Sequence, residues 1–144
     1  MVRVLICYAS FSGNTKETAE IIHHVLSEHG CTVYLHRIGT GSAPDPSLFD
    51  AMFIGTFTWG KGHTPDIVKD FVYEIGYKPP KVFVFGTGDT QFGGDRLFCH
   101  AAVKLAAFYR SEHEPLKIEQ SPRGSQENKV KIWTEGVWNQ CLKS

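Results

Sequence analysis

The sequence has no excess of charge of either sign. Fifteen Lys and Arg balance fifteen Asp and Glu, for a formal net charge of zero. No global field therefore draws the chain to nucleic acid or to an anionic membrane, and neither is an expected partner. No apolar run is long enough to span a bilayer. No secretory signal opens the chain, because Met1-Val2-Arg3 leads straight into an apolar segment. The four cysteines, Cys7, Cys31, Cys99 and Cys141, are scattered and form no C-x-x-C pair. That pattern argues against a disulfide framework and a zinc site, and predicts buried free thiols in a reducing, cytoplasmic setting. There is no internal repeat and no low-complexity tract. Two chemistries also fail for want of a residue. A phospho-receiver needs Asp at the end of an early strand, where this chain has Cys7-Tyr8 and Ile54-Gly55. A C-x5-R phosphatase loop would need Arg at position 13, where Gly13 sits. What remains is 144 residues at 42% hydrophobic content, enough for one domain spanning residues 1–144 with a real core.

Taken in order, strand-like and helix-like segments alternate. Val2 to Tyr8 is uniformly apolar apart from Arg3, as a central parallel strand covered on both faces would be. Lys16 to His29 carries Ala19, Ile22, Val25 and Leu26 on one helical stripe, and Gly30 is its expected C-cap. Cys31 to His36 alternates, with Val33 and Leu35 on one side, and suits an edge or near-edge strand. A breaker-rich loop from Gly39 to Pro46 follows in place of a crossover helix. Ala51 to Gly55 is a third strand. Thr64 is the expected N-cap of a helix with Pro65 at its first position and Ile67, Val68, Phe71, Val72 and Ile75 on its apolar face. Lys81 to Phe85 is a fourth strand, followed by a glycine-rich loop from Gly86 to Gly94. Asp95 is the expected cap of a helix that places Leu97, Ala101, Leu105 and Phe108 together. Pro115 to Glu119 is a weak fifth strand, and Ser125 to Leu142 a last helix interrupted at Gly136. Strands alternating with helices predict a doubly wound parallel sheet with helices on both faces.

The stretch Ser10-Phe11-Ser12-Gly13-Asn14-Thr15 joins the first strand to the first helix. A strand-to-helix turn binds anions, because the first helical N–H groups lack intrahelical partners and sit at the positive end of the macrodipole. Three hydroxyls and an amide crowd into six residues, with no Lys or Arg among them. Neutral donors of this kind can wrap a doubly charged phosphate monoester. The same residue types also serve an ordinary capped helix start.

In a parallel sheet, ligands bind beyond the C-terminal strand edge at the switch in strand order. The loops after strands one, three and four share that edge, and they are the loops rich in glycine, hydroxyls and aromatics. The second loop, Thr56-Phe57-Thr58-Trp59-Gly60-Lys61, brings Trp59, and the third brings Phe92. A flat heteroaromatic ring stacked between the two, joined to a phosphate monoester, describes FMN.

At these residues the chain resembles the flavodoxins, in particular the short-chain ones. Ser10-x-Ser12-Gly13-Asn14-Thr15 is similar to their phosphate loop, Thr58-Trp59-Gly60 to their first flavin-flanking loop, and Gly86-Thr87-Gly88-Asp89 with Phe92 to their second. The resemblance implies a five-stranded sheet of order 2-1-3-4-5 over the whole chain. It assigns Ser10, Ser12, Asn14 and Thr15, with the amides of Phe11 and Gly13, to the phosphate. It makes Thr58 or Trp59 a further phosphate donor, puts Trp59 on the inner face of the flavin and the backbone of Gly60-Lys61 at its N5 edge, and counts Thr56 and Phe57 among the cofactor-binding residues of that loop. Phe92 falls to the outer face of the flavin and Asp89 to the pyrimidine edge or ribityl chain, with Thr87, Gly88 and Gly93 among the cofactor-binding residues of that loop. The implied function is a low-potential one-electron carrier in which FMN does the redox chemistry and no residue is catalytic. A ferredoxin/flavodoxin–NADP reductase would be the donor, redox enzymes the acceptors, and the chain a monomer. The alternative is an FMN-dependent NAD(P)H/quinone oxidoreductase of related fold, whose open flavin face Phe92 would block. Four departures from the family pattern stand out: the neutral net charge, Phe92 where Tyr is usual, the extra residues between Phe92 and Phe98, and Lys61 where an acid is common.

Overall fold

The computed structural model describes residues 1–58, 62–89 and 98–143. Its centre is β1 (Arg3–Tyr8), whose residues from Val4 onward are all buried. Side chains alternate across a strand. Val4 and Ile6 enter one core, and Leu5 and Cys7 enter another on the opposite face. The same division holds for β3 (Ala51–Phe57) and β4 (Val82–Gly88). Phe53, Phe83 and Phe85 point to the first core, and Met52, Ile54, Val82 and Val84 to the second. With β2 (Thr32–Arg37) and β5 (Leu116–Glu119), these strands form one parallel sheet of order β2-β1-β3-β4-β5. That is the expected doubly wound order.

Helices cover both faces. On one side α1 (Asn14–Glu28) packs on α4 (Ser125–Val137) over the phenylalanine-rich core. On the other lie α2 (Asp66–Ile75) and α3 (His100–Tyr109). The β2-to-β3 crossover has only a 3-10 turn at Pro46–Leu48. Gly30, at φ +85, ends α1: its N–H donates to the Ser27 carbonyl and that of Cys31 to Leu26. That is the expected glycine stop.

Several boundaries differ from the expectation. β3 and β4 run two and three residues beyond Gly55 and Phe85, so Thr56, Phe57, Gly86, Thr87 and Gly88 are strand, not loop. Glycine there serves close packing: a Cβ on Gly86 would lie 2.7 Å from the Ala102 Cβ of α3. Thr64 does not cap α2. Pro65 holds the cap position in extended geometry, with no side-chain cap bond, and the helix starts one residue later. Cys99, placed in a helical pattern, sits instead at the cap of α3 with φ +52. The last helix is not interrupted at Gly136. It continues to Val137 and closes in a wider turn over Trp138–Leu142. Leu35 is 41% exposed, because the edge position of β2 leaves part of that strand uncovered. Asp95 and Leu97 lie outside the described residues.

All four thiols are free. Burial pushes the Cys7 and Cys99 thiols upward, Cys99 to about 12. Among the described residues no group of His, Cys, Asp and Glu is placed to hold a metal, and no helix is long and apolar enough to cross a membrane.

Candidate cofactor site

β1, β3 and β4 are sheet neighbours, so their C-terminal ends emerge side by side. Backbone bonds tie the three exits together. Ala9 N–H donates to the Gly55 carbonyl at 2.9 Å and Thr58 N–H to the Thr87 carbonyl at 3.2 Å. The parallel register fixes this arrangement before any side chain is considered.

The first exit turns sharply at Gly13, whose φ of +95 is left-handed. A Cβ there would meet nothing within 4 Å, so backbone conformation, not space, asks for glycine. α1 then begins at Asn14 with no side-chain cap on its first turn. Among the described residues no side-chain cap bond is made at this helix start, as suits an anion seat. The Ser10 hydroxyl accepts from Gly13 N–H at 3.0 Å and keeps its own proton to give. The Thr18 hydroxyl is occupied within the helix, donating to the Asn14 carbonyl.

The first and third exits are also joined through hydroxyls. Thr15 Oγ1 and Thr87 Oγ1 share a buried hydrogen bond of 2.9 Å. That bond uses one of their two protons and leaves the other. Thr58 Oγ1 accepts from the Ala101 amide at the start of α3, at 3.2 Å, and likewise retains its donor. Thr56 differs: it is fully buried, and its hydroxyl donates to the Phe57 carbonyl. Ser12 and Phe11 are exposed at the tip of the loop, and the Phe11 and Phe57 rings approach to 6.0 Å. With His63, Thr64, Pro65, Asp66 and Lys69 they line a cavity of about 340 Å³.

At the third exit a Cβ on Gly88 would lie 3.1 Å from the Cys99 amide nitrogen. The Cys99 thiol donates to the Ile118 carbonyl. Gln120, from the end of β5, holds this corner twice. Its backbone N–H donates to the Gly88 carbonyl at 2.7 Å and its side-chain amide to Asp89 at 3.3 Å. Nothing local in the sequence announces Gln120; its φ of +59 belongs to a turn that only the tertiary fold defines.

The first turn of α1 holds one carboxylate, Glu17, an unwelcome neighbour for an anion. Arg123 takes it in a two-pronged pair at 2.9 and 3.2 Å. The guanidinium is itself held above its ordinary range, first by that hydrogen bond and then by the charge of Glu17. The donor set thus fits a phosphate: neutral hydroxyls, uncapped helical amides and a masked nearby acid. Trp59, Gly60, Lys61, Phe92 and Gly93, expected around the flavin ring, lie outside the described residues.

The comparisons with known proteins agree with this geometry. The flavodoxin family model matches residues 6–111. The chain is 33% identical to "Probable flavodoxin 2" of Bacillus subtilis, over 90% of each chain. It is 37% identical to "Probable flavodoxin 1" of the same organism, over 85% of this chain and 80% of that one. The crystal structure of oxidised flavodoxin 2 from Bacillus cereus superimposes with a TM-score of 0.84 at 30% identity, covering 96% of this chain and 99% of the other. The chain therefore belongs to the flavodoxin family, whose cofactor is FMN.

Proposed function

We propose that the protein is a one-electron carrier that holds FMN non-covalently across its three loop exits. The observation that carries this reading is the uncapped, left-handed entry into α1 beside the Thr15–Thr87 hydroxyl pair. FMN, when bound, supplies reversible electron uptake and release. The protein binds, orients and shields. The amides of the α1 first turn and the hydroxyls of Ser10, Ser12 and Thr15 seat the phosphate, and Asn14 and Thr58 add side-chain donors. Thr87, Gly88 and Asp89 border the ribityl and pyrimidine end. Trp59 and Phe92 would cover the ring faces, and Gly60-Lys61 would meet its N5 edge, as the family resemblance implies. The partners are a flavin reductase of the NADP-dependent type as donor and redox enzymes as acceptors, met by a monomeric chain in the cytoplasm.

The reading is tested by purifying the protein and recording its absorption spectrum before and after acid precipitation. Yellow protein releasing FMN, with no NAD(P)H consumption by the protein alone, supports a carrier. NAD(P)H oxidation without an added reductase would support an oxidoreductase. Protein that stays colourless and cannot be reconstituted with FMN would contradict both.

A further inference from the structure

We infer that the groove between α2 and α3 docks a redox partner through an acidic surface with an apolar anchor. This deepens the carrier reading and rests on it. The groove measures about 300 Å³ and is lined by Thr64, Lys69, Val72, Lys104, Leu105 and Phe108. Its floor is apolar, with Phe108 44% exposed. Its charged lining residues, Lys69 and Lys104, are both cations, and both are exposed. A third cation, Lys78, lies 4.3 Å from the centre of the Phe108 ring.

The carboxylates of mid-α2 do not cancel this charge. Lys69 and Val72 are one turn apart on the groove side. Asp70 and Glu74, also one turn apart, fall on the other flank of a 3.6-residue helix. Glu74 is engaged there, accepting from the Ala43 amide at 3.0 Å. Asp66 sits one turn before Lys69 and lines the adjoining cavity with it, so it offsets Lys69 in part, but it does not line the groove itself, where Lys104 stands.

The position suits a carrier. α2 and α3 follow the two loops assigned to the flavin ring, and Thr64 and Lys69 line both this groove and the cavity at Phe11 and Phe57. A partner seated here meets the cofactor side at the Thr64 and Lys69 end of the groove, while Phe108 lies near the far end of α3. Because the whole chain has zero net charge, local charge governs its approach, and rim charges act chiefly on encounter and selectivity. Two cations along the groove and a third over its exposed aromatic fit a partner patch of carboxylates beside an apolar side chain.

The test titrates 15N-labelled, FMN-loaded protein at low salt with a small acidic iron–sulfur protein, and in parallel with a basic c-type cytochrome. Loading with FMN before the titration reads the carrier proposal separately: protein that takes up no FMN overturns that reading, and its amide shifts with the acidic probe still test the groove. The expected result is that amides of Lys69, Val72, Lys104 and Phe108 shift with the acidic probe and that added salt weakens the complex. K69E/K104E should lose about tenfold in affinity, and K69Q/K104Q less in the same direction. K131E/K143E, with the same change in net charge on the α4 side, should keep its affinity. The inference is overturned by shifts confined to α1 and α4, by equal seating of the basic probe, by K131E/K143E weakening as much, or by no binding of the acidic probe. It is likewise overturned if the groove amides shift with the protein's own concentration, which would make a second copy the occupant.

Discussion

Thr15 and Thr87 are the residues through which the phosphate turn and the third loop exit communicate. Their hydroxyls are buried and bonded to each other. Thr87→Val leaves the Thr15 hydroxyl without its partner, which costs about 1–3 kcal/mol. Removing both hydroxyls should cost less than the sum of the single changes, because no orphan remains. Urea denaturation of the two single variants and the double variant measures this, and strict additivity would show that the bond is energetically idle. Two glycines make a second contrast. Gly13→Ala meets no neighbour within 4 Å but must hold a left-handed φ, a backbone cost of about 1–2 kcal/mol. Gly55→Ala would place a Cβ 2.2 Å from the Phe85 ring in the packed core. That change should shift core packing as well as stability, seen as altered aromatic circular dichroism for Gly55→Ala and not for Gly13→Ala.

Among elements, α1 decides the site. Its positive end faces the proposed phosphate, and Glu17 in its first turn is held by Arg123. Arg123→Ala should weaken FMN several-fold, through the released Glu17 carboxylate, and leave riboflavin unchanged. Glu17→Gln in the same background should restore FMN affinity. Calorimetric titration of the apoprotein checks this, and equal loss for both ligands would mean that Arg123 acts on folding.

The legibility of these elements in the sequence follows from what sets each one. β1 was readable because a strand covered on both faces must be apolar throughout, and Val4 to Tyr8 is. The α1 entry was readable because glycine, hydroxyls and an amide concentrate there. Gly86 and Gly88 misled, since glycine marks both turns and tight packing, and here α3 presses on the strand. The Arg123–Glu17 and Gln120–Asp89 pairs left no signal at all. Their partners are 106 and 31 residues apart, and only the sheet order brings them together.

At the scale of the whole molecule, two cores flank one sheet, and their buried acids set the alkaline limit. Burial raises the Cys7 thiol, and it holds the Cys99 thiol and the Tyr109 hydroxyl each near 12. Tyr109 is raised further by Cys7 beside it. The folded state keeps these protons longer than the unfolded chain does. Stability is thus intact below the ordinary thiol value of about 8.5 and falls as pH rises above it. Denaturation midpoints from pH 7 to 10.5 should decline through that window. In the native protein an alkylating reagent should reach the half-buried Cys141 before Cys7 or Cys99, as peptide mass spectrometry would show; early modification of Cys7 would contradict the burial.

The central claim is that the α1 entry recognises a phosphate monoester attached to a flavin. Charge-assisted hydrogen bonds are worth about 1.5–3 kcal/mol each, so even one such bond lost is worth about a tenfold change or more. Titrating the apoprotein with FMN and with riboflavin under one buffer measures it directly. The account predicts one FMN per chain, bound at least about a hundredfold more tightly than riboflavin from two or more such bonds. Equal affinities for the two flavins would contradict it.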